Sequence, residues 1–230
     1  PEAIREASTQ LDLYDADYPD AWRRGIAAMA PDELMREQSR VWRAEATKVI
    51  EALEAGEADG NTDKQIEAIN SACSLMNEQV YNKVKSLILN RKLVGLVGRD
   101  HSTPYGAVRA VAEHYESFGV LHFDAHRDLR EAYEGFEFSP ASFRYNLLRD
   151  VSQMKRLVQV GVREFSPREW QRATEDERVK LFTGQYIWSS HFEGVNWSTL
   201  CDEIIAELPQ KVYLSLDIDG LTIECSPHTG

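Results

Sequence analysis

The chain is expected to fold as an α/β protein: a mainly parallel sheet between two helical layers, a three-layer α/β/α arrangement, preceded by an N-terminal helical segment. Three observations lead there. From Leu93 onward, short apolar, β-prone runs alternate with stretches of helical periodicity, and the connections are long enough for crossovers. Before residue 90 the apolar spacing is helical over most of the chain. Three apolar runs end in Asp and His residues, and the C-terminal edge of an open parallel sheet is where such folds bind ligands. A length of 230 residues suits one domain with one sizeable core, with 1–90 as its helical part and 91–230 as its α/β core.

Each element has its own signal. Residues 1–20 read as irregular, and Asp15 and Asp17, set among turn formers, read as a solvated loop. Helix is expected over 21–55, with a fresh start at Pro31-Asp32-Glu33 and an apolar stripe through Met35, Trp42, Ala46, Val49, Ile50 and Leu53. The Gly, Asp and Asn of 56–62 make a turn, and 63–89 returns to helix. Strand 93–97 leads into Gly98-Arg99-Asp100-His101-Ser102, followed by a helix over 105–117. Strand 119–124 enters Asp124-Ala125-His126-Arg127-Asp128. A loop with Phe136, Phe138 and Phe143 precedes a short helix ending near Arg149. Strand 157–162, helix 166–178 and a short strand 179–182 come next, then a helix over 198–207 with Ser198 as its cap and Pro209 as its stop. Strand 212–217 reaches Asp217 and Asp219. A ligand-bearing parallel strand is usually an interior one, so at least one more strand or covering helix is expected after Gly230.

Composition narrows the partners. Lys and Arg number 26 against 38 Asp and Glu, a net charge of −12, which argues against nucleic acid and anionic membrane and suits a small cationic substrate. The three cysteines, Cys73, Cys201 and Cys225, are far apart and form no CxxC pair, so neither disulfides nor thiolate metal sites are indicated. A reducing, cytoplasmic setting fits, and no signal peptide or apolar run of transmembrane length is present. Cys225 reads as a semi-buried thiol.

The chemistry sits at the strand ends. His122, Asp124, His126 and Asp128 occupy alternate positions, and in an extended chain alternate side chains point the same way. Carboxylates and imidazoles gathered so closely repel or go unpaired unless a cation sits among them. His101 upstream and the pair Asp217 and Asp219 downstream supply the rest of a metal site. His122, one step further from the strand end, is expected to sit behind Asp124 rather than bind metal itself.

In this order, GRDHS (98–102), DAHRD (124–128) and SLDIDG (215–220) resemble the three signatures of the ureohydrolase family, the arginases and agmatinases, whose patterns are GGDHS, DAHxD and SxDxDxxDP. The resemblance covers about residues 90–230. It implies an arginase-like fold, a centre of two divalent metal ions, most often manganese and in some members nickel, and hydrolysis of a guanidino group to urea and an amine. It implies that His101, Asp124, Asp128 and Asp217 hold one ion. Asp124, His126, Asp217 and Asp219 then hold the other, so that Asp124 and Asp217 bridge and Asp124, His126 and Asp217 flank the reacting water. The implied substrate is a small guanidino compound: agmatine, guanidinobutyrate, arginine, guanidine, or an alkylated guanidine or biguanide. A homo- or hetero-oligomer, trimer or hexamer, is implied too. The residues agree on chemical grounds. A guanidinium stays protonated to pH ~12 and its carbon is a poor electrophile, so attack needs hydroxide, which a metal supplies by lowering the pKa of bound water to ~7. A carboxylate and imidazole shell suits Mn, Ni, Co, Fe or Zn.

The sequence also departs from the family pattern. Arg99 replaces a Gly, Arg127 fills a slot usually held by a small residue, and Thr222-Ile223 replaces Asp-Pro. Pro140 stands where the family usually has a His that passes a proton to the leaving amine. The family's substrate-binding carboxylate is expected past Gly230. Two other readings compete with the hydrolase: a non-catalytic or regulatory subunit paired with an active homologue, and a metal-dependent deacetylase of related fold.

Overall fold

The computed structural model describes residues 2–30, 32–222 and 224–227. The expected helix start at Pro31, the replacement at Ile223 and Gly230 lie outside the described residues. The strands are β1 (Phe118–Phe123), β2 (Met154–Val160), β3 (Val179–Phe182) and β4 (Val212–Leu216). They form one parallel sheet in the order β3-β2-β1-β4. The helices are α1 (Glu2–Ala7), α2 (Glu33–Glu54), α3 (Gly60–Leu89), α4 (Tyr105–His114), α5 (Phe143–Asp150), α6 (Pro167–Glu175), α7 (Gly184–Phe192) and α8 (Trp197–Ala206).

The sheet is covered on both faces. On one, Val120 and Leu157 meet Tyr105 and Val108 of α4, Leu147 of α5 and Ala173 of α6. On the other, Val158, Val160 and Phe182 meet Ile187 of α7 and Ile204 of α8. The long helix α3 lies outside α4, where Val80 and Val84 pack on Ala107 and Ala110. The two backbones cross closely: a Cβ on Gly106 would stand 2.1 Å from the Asn77 carbonyl oxygen, so only glycine fits there. Helix α2 is pinned to α3 by Lys83 Nζ, 2.6 Å from Asp32 Oδ2.

Local chemistry sets the helix ends. Asp32 accepts from the Met35 N–H and starts α2. Asp59 and Thr62 form a capping box, which starts α3 at Gly60, three residues before the expected start. Ser166 and Glu169 do the same for α6. Asn196, not Ser198, caps α8, because its side chain accepts from the Thr199 N–H.

Other expectations need correction. The run at 93–97 is not a strand. A strand needs a ladder partner, and among the described residues none lies beside it; Leu93 is fully exposed and only Val94 packs, against the α3–α4 cluster. Helix does not run unbroken over 21–55: a short 3-10 turn spans Ala21–Arg24, and Gly25 takes φ +82°, a left-handed value that stops it. Residues 1–20 are not wholly irregular, since α1 occupies part of them. Helix α7 arises where no element was assigned, capped by Thr183 accepting from the Tyr186 N–H. The three cysteines are free, and Cys225 is exposed rather than semi-buried. Among the described residues no helix is long and apolar enough to cross a membrane.

Candidate metal centre

Strand register stacks the site in layers. Val120 of β1 is level with Leu157 of β2 and Tyr213 of β4, an apolar layer. Two residues on, His122 is level with Gln159 and Ser215, all three buried, a layer of hydrogen-bonding groups. Two further on, β1 and β4 have ended and present Asp124 and Asp217. The turn after Asp217 folds back over Asp124. A Cβ on Gly220 would lie 2.8 Å from the Asp124 nitrogen, so this turn closes only with glycine. The same fold-back lets Asp219 Oδ1 accept from the Ala125 N–H at 3.1 Å.

The polar groups fall into two overlapping halves. In the inner half, His101, His122, Asp124 and Asp128 are all buried, and each places a ligand atom within 4.8 Å of the others. His101 Nδ1 is 2.8 Å from Asp124 Oδ2, 3.2 Å from Asp217 Oδ2 and 3.4 Å from Asp128 Oδ2. In the outer half, Asp124, His126 and Asp219 form a second such group. His126 Nδ1 is 3.0 Å from Asp219 Oδ2 and 3.4 Å from Asp124 Oδ1. Its Nε2 faces Glu164 Oε2 at 3.5 Å. Asp124 belongs to both halves.

His122 is oriented from behind. The Gln159 side-chain amide N–H donates to the Arg127 carbonyl at 2.9 Å and faces His122 Nδ1 at 3.0 Å. That makes Nδ1 the acceptor and leaves the proton on Nε2, which donates to Asp124 Oδ2 at 2.8 Å. Burial and the nearby Arg144 guanidinium push the His122 pKa down to about 3, so the ring is neutral.

Charge is shared unevenly across the rest. Burial disfavours the charged form of His101, but hydrogen bonds to Asp124 and Asp217 outweigh it and raise its pKa to about 9. Hydrogen bonds to Asp124 and Asp219 raise that of His126 to about 10. Burial works against the Asp124 carboxylate, yet His101, His122 and His126 hold its pKa well below the usual range. The His101 hydrogen bond lowers that of Asp217. Burial, reinforced by the Asp124 charge, pushes Asp128 up, and its Oδ2 is buried with no hydrogen-bond partner among the described residues. A buried carboxylate oxygen without a donor, amid oxygen and imidazole ligands, is what a divalent cation would satisfy, so the residues present fit one.

The structure thus brings His101, Asp124, His126, Asp128, Asp217 and Asp219 to one edge, with Asp217 reaching the rest through His101 and, at Oδ1, the Asp219 N–H. Gln159, Ser215, Arg144 and Glu164 were not anticipated. Ser215 carries a signal after the fact, as the lone polar residue of an otherwise apolar strand, and Gln159 stands between Val158 and Val160. Of the departures, Arg127 is buried over the rings of Phe165 at 4.1 Å and Trp170 at 4.5 Å. Arg99 and Pro140 are exposed.

Fold and site together define an α/β protein with a His/Asp cluster able to bind metal at the C-terminal edge of its parallel sheet. The sequence profile described as the arginase family matches residues 1–230, and the chain belongs to that family. It is 37% identical over 139 residues to the N(1)-aminopropylagmatine ureohydrolase of Thermus thermophilus, covering 60% of this chain and 44% of that protein. To the formimidoylglutamase of Halalkalibacterium halodurans it is 32% identical over 130 residues, covering 55% and 39%. The chain spans about half the length, or less, of such relatives. Among solved structures, the arginase from Bacillus cereus matches with a TM-score of 0.54 at 28% identity, covering 72% of this chain and 58% of that one. The agmatine ureohydrolase of Thermoplasma volcanium matches 99% of this chain and 62% of its own with a TM-score of 0.65 at 19% identity, a likeness of fold. The arginase-like three-layer α/β/α architecture follows.

Proposed function

We propose that this chain carries the metal-binding core of a hydrolase that cleaves a guanidino C–N bond, releasing urea or a urea derivative and an amine. The observation that carries the reading is the pair of His/Asp groups sharing Asp124 at the sheet edge. His101, Asp124, Asp128 and Asp217 would hold one divalent ion, and Asp124, His126, Asp217 and Asp219 the other, with Mn or Ni the favoured metals. When bound, the ions supply the charge that ionises water near neutral pH, and hence the nucleophile a resonance-stabilised guanidinium requires. His122, held by Gln159, keeps the shared carboxylate in place. Glu164 stands exposed beside His126 and draws a cationic substrate to the open side. Agmatine, guanidinobutyrate, arginine, guanidine and alkylated guanidines or biguanides are the substrate range, and a cytoplasmic homo- or hetero-oligomer, trimer or hexamer, is the proposed setting. The test is urea release from a panel of those compounds, with bound metal measured in the same sample. Near-stoichiometric metal without urea from any of them would sink the hydrolase reading.

Two observations favour a second reading, a regulatory subunit of a hetero-oligomer with an active homologue. Pro140 cannot transfer a proton, and the Arg144 guanidinium stands beside His101. Pro140→His separates the readings. If the site lacks only a general acid, the variant releases urea faster, within the ~10²- to 10⁴-fold that such groups contribute, and gains a pH–rate limb near ~6.5. If parent and variant both hold metal and both stay inert, the regulatory reading replaces the first.

A further inference from the structure

Arg144 is the least expected group near the metal centre. It is fully buried on the first turn of α5. Its Nη2 donates to Ser215 Oγ at 2.8 Å and lies 3.5 Å from His101 Nε2. Its Nε and Nη1 are buried without a hydrogen-bond partner, and no carboxylate comes within ion-pair distance of it among the described residues. Its guanidinium carbon stands 4.0 Å from the centre of the Phe143 ring, and that ring stacks on His101. Burying a charge this way is costly. Its place in the helix does not offset the cost, since a cation in a first turn opposes the helix dipole. The same turn is tied to the inner half, because the Arg144 and Tyr145 N–H groups donate to the Asp128 carbonyl at 2.9 and 3.2 Å. The positive end of α5 and the guanidinium therefore both face the inner half, while the outer half opens to solvent through His126.

We propose that Arg144 is a fixed positive charge that makes the two halves of the centre load unequally: the outer half takes a divalent ion tightly, and the inner half, beside the guanidinium, takes one weakly. Arginine stays protonated at neutral pH, so the bias does not switch off. Like charges a few ångströms apart in a poorly solvated site interact far more strongly than in water. The proposal rests on the two-ion reading above and deepens it, making occupancy of the inner half a matter of free metal concentration.

The test is a calorimetric titration of the chelator-stripped 230-residue chain with Mn²⁺ alone. The parent is expected to bind in two separated steps, and Asp219→Asn to remove the tight one. Arg144→Met removes the charge but keeps an apolar stem against Phe143. It should tighten the weak step by at least about tenfold and move the tight step by less than about threefold. Arg144→Gln is the second neutral variant, should Met disturb the fold. Arg144→Lys, which keeps the charge, should keep the separation, as a merely structural arginine would not require. Two equal steps in the parent, or a weak step unmoved in both neutral variants, would overturn the role of Arg144 and leave the two-ion reading standing. No Mn²⁺ binding by the parent or any variant would bring down the two-ion reading and this proposal with it.

Discussion

The inner and outer halves of the candidate metal centre share Asp124 and differ in almost everything else. The inner half is sealed: His101, His122, Asp124 and Asp128 are buried, Phe143 walls it, and Arg144 lies behind it. The outer half is open, with the His126 side chain 43% exposed and Glu164 beyond it. In the sealed half every charge must be met by fixed neighbours, and among the described residues one Asp128 oxygen has no hydrogen-bond donor. In the open half solvent shares the work. The same residue types therefore meet fixed neighbours, the Arg144 guanidinium among them, in one half and solvent in the other.

The shared residue should give the largest effect. Asp124→Asn is expected to lose both ions and with them all urea release, and elemental analysis showing full metal would refute the bridging role. Next come the variants that split the halves. Asp128→Asn should leave one ion per chain, in the outer half, and Asp219→Asn one in the inner half; identical behaviour of the two would erase the distinction. His122→Ala should lower metal affinity by about 10- to 100-fold while the fold persists, the usual cost of losing an orienting partner. Complete metal loss in a folded His122→Ala protein would instead make His122 a ligand.

A graded effect, with no substitution needed, should come from pH. Without metal, His101 and His126 have raised pKa values of about 9 and about 10, so both imidazoles are protonated at neutral pH. Metal must displace those protons, so affinity should rise as pH climbs from 7 toward 9, by about tenfold per pH unit for each proton displaced. Titrations in two buffers of different protonation enthalpy count the protons released. Affinity that does not change between pH 7 and 9 would mean the imidazoles are already neutral in the metal-free protein.

Much of this was readable from spacing. Alternate positions in 122–128 and the pair 217 and 219 brought the carboxylates to one edge, because strand geometry leaves few other outcomes. The sheet strands from β1 onward were found within a few residues for the same reason. What escaped depends on contacts between distant segments. Gln159 meets His122 through the β1–β2 register, which neither strand encodes alone. Arg144 sits in a short helix with no pattern tying it to residue 101 or 215. The run at 93–97 shows the converse: it has a strand's composition, but composition does not provide a neighbour to pair with.

The order of the sheet has one more consequence, for when the site comes into being. Strand β1 pairs with β4, so Val120 meets Tyr213 from far along the chain. Closing so long a loop costs entropy before any of its contacts form, and pairings of that kind are slow. Asp124 and Asp217 leave the ends of those same two strands. The two carboxylates therefore meet only once β1 and β4 are in register, and the cluster is a product of late folding rather than a seed for it.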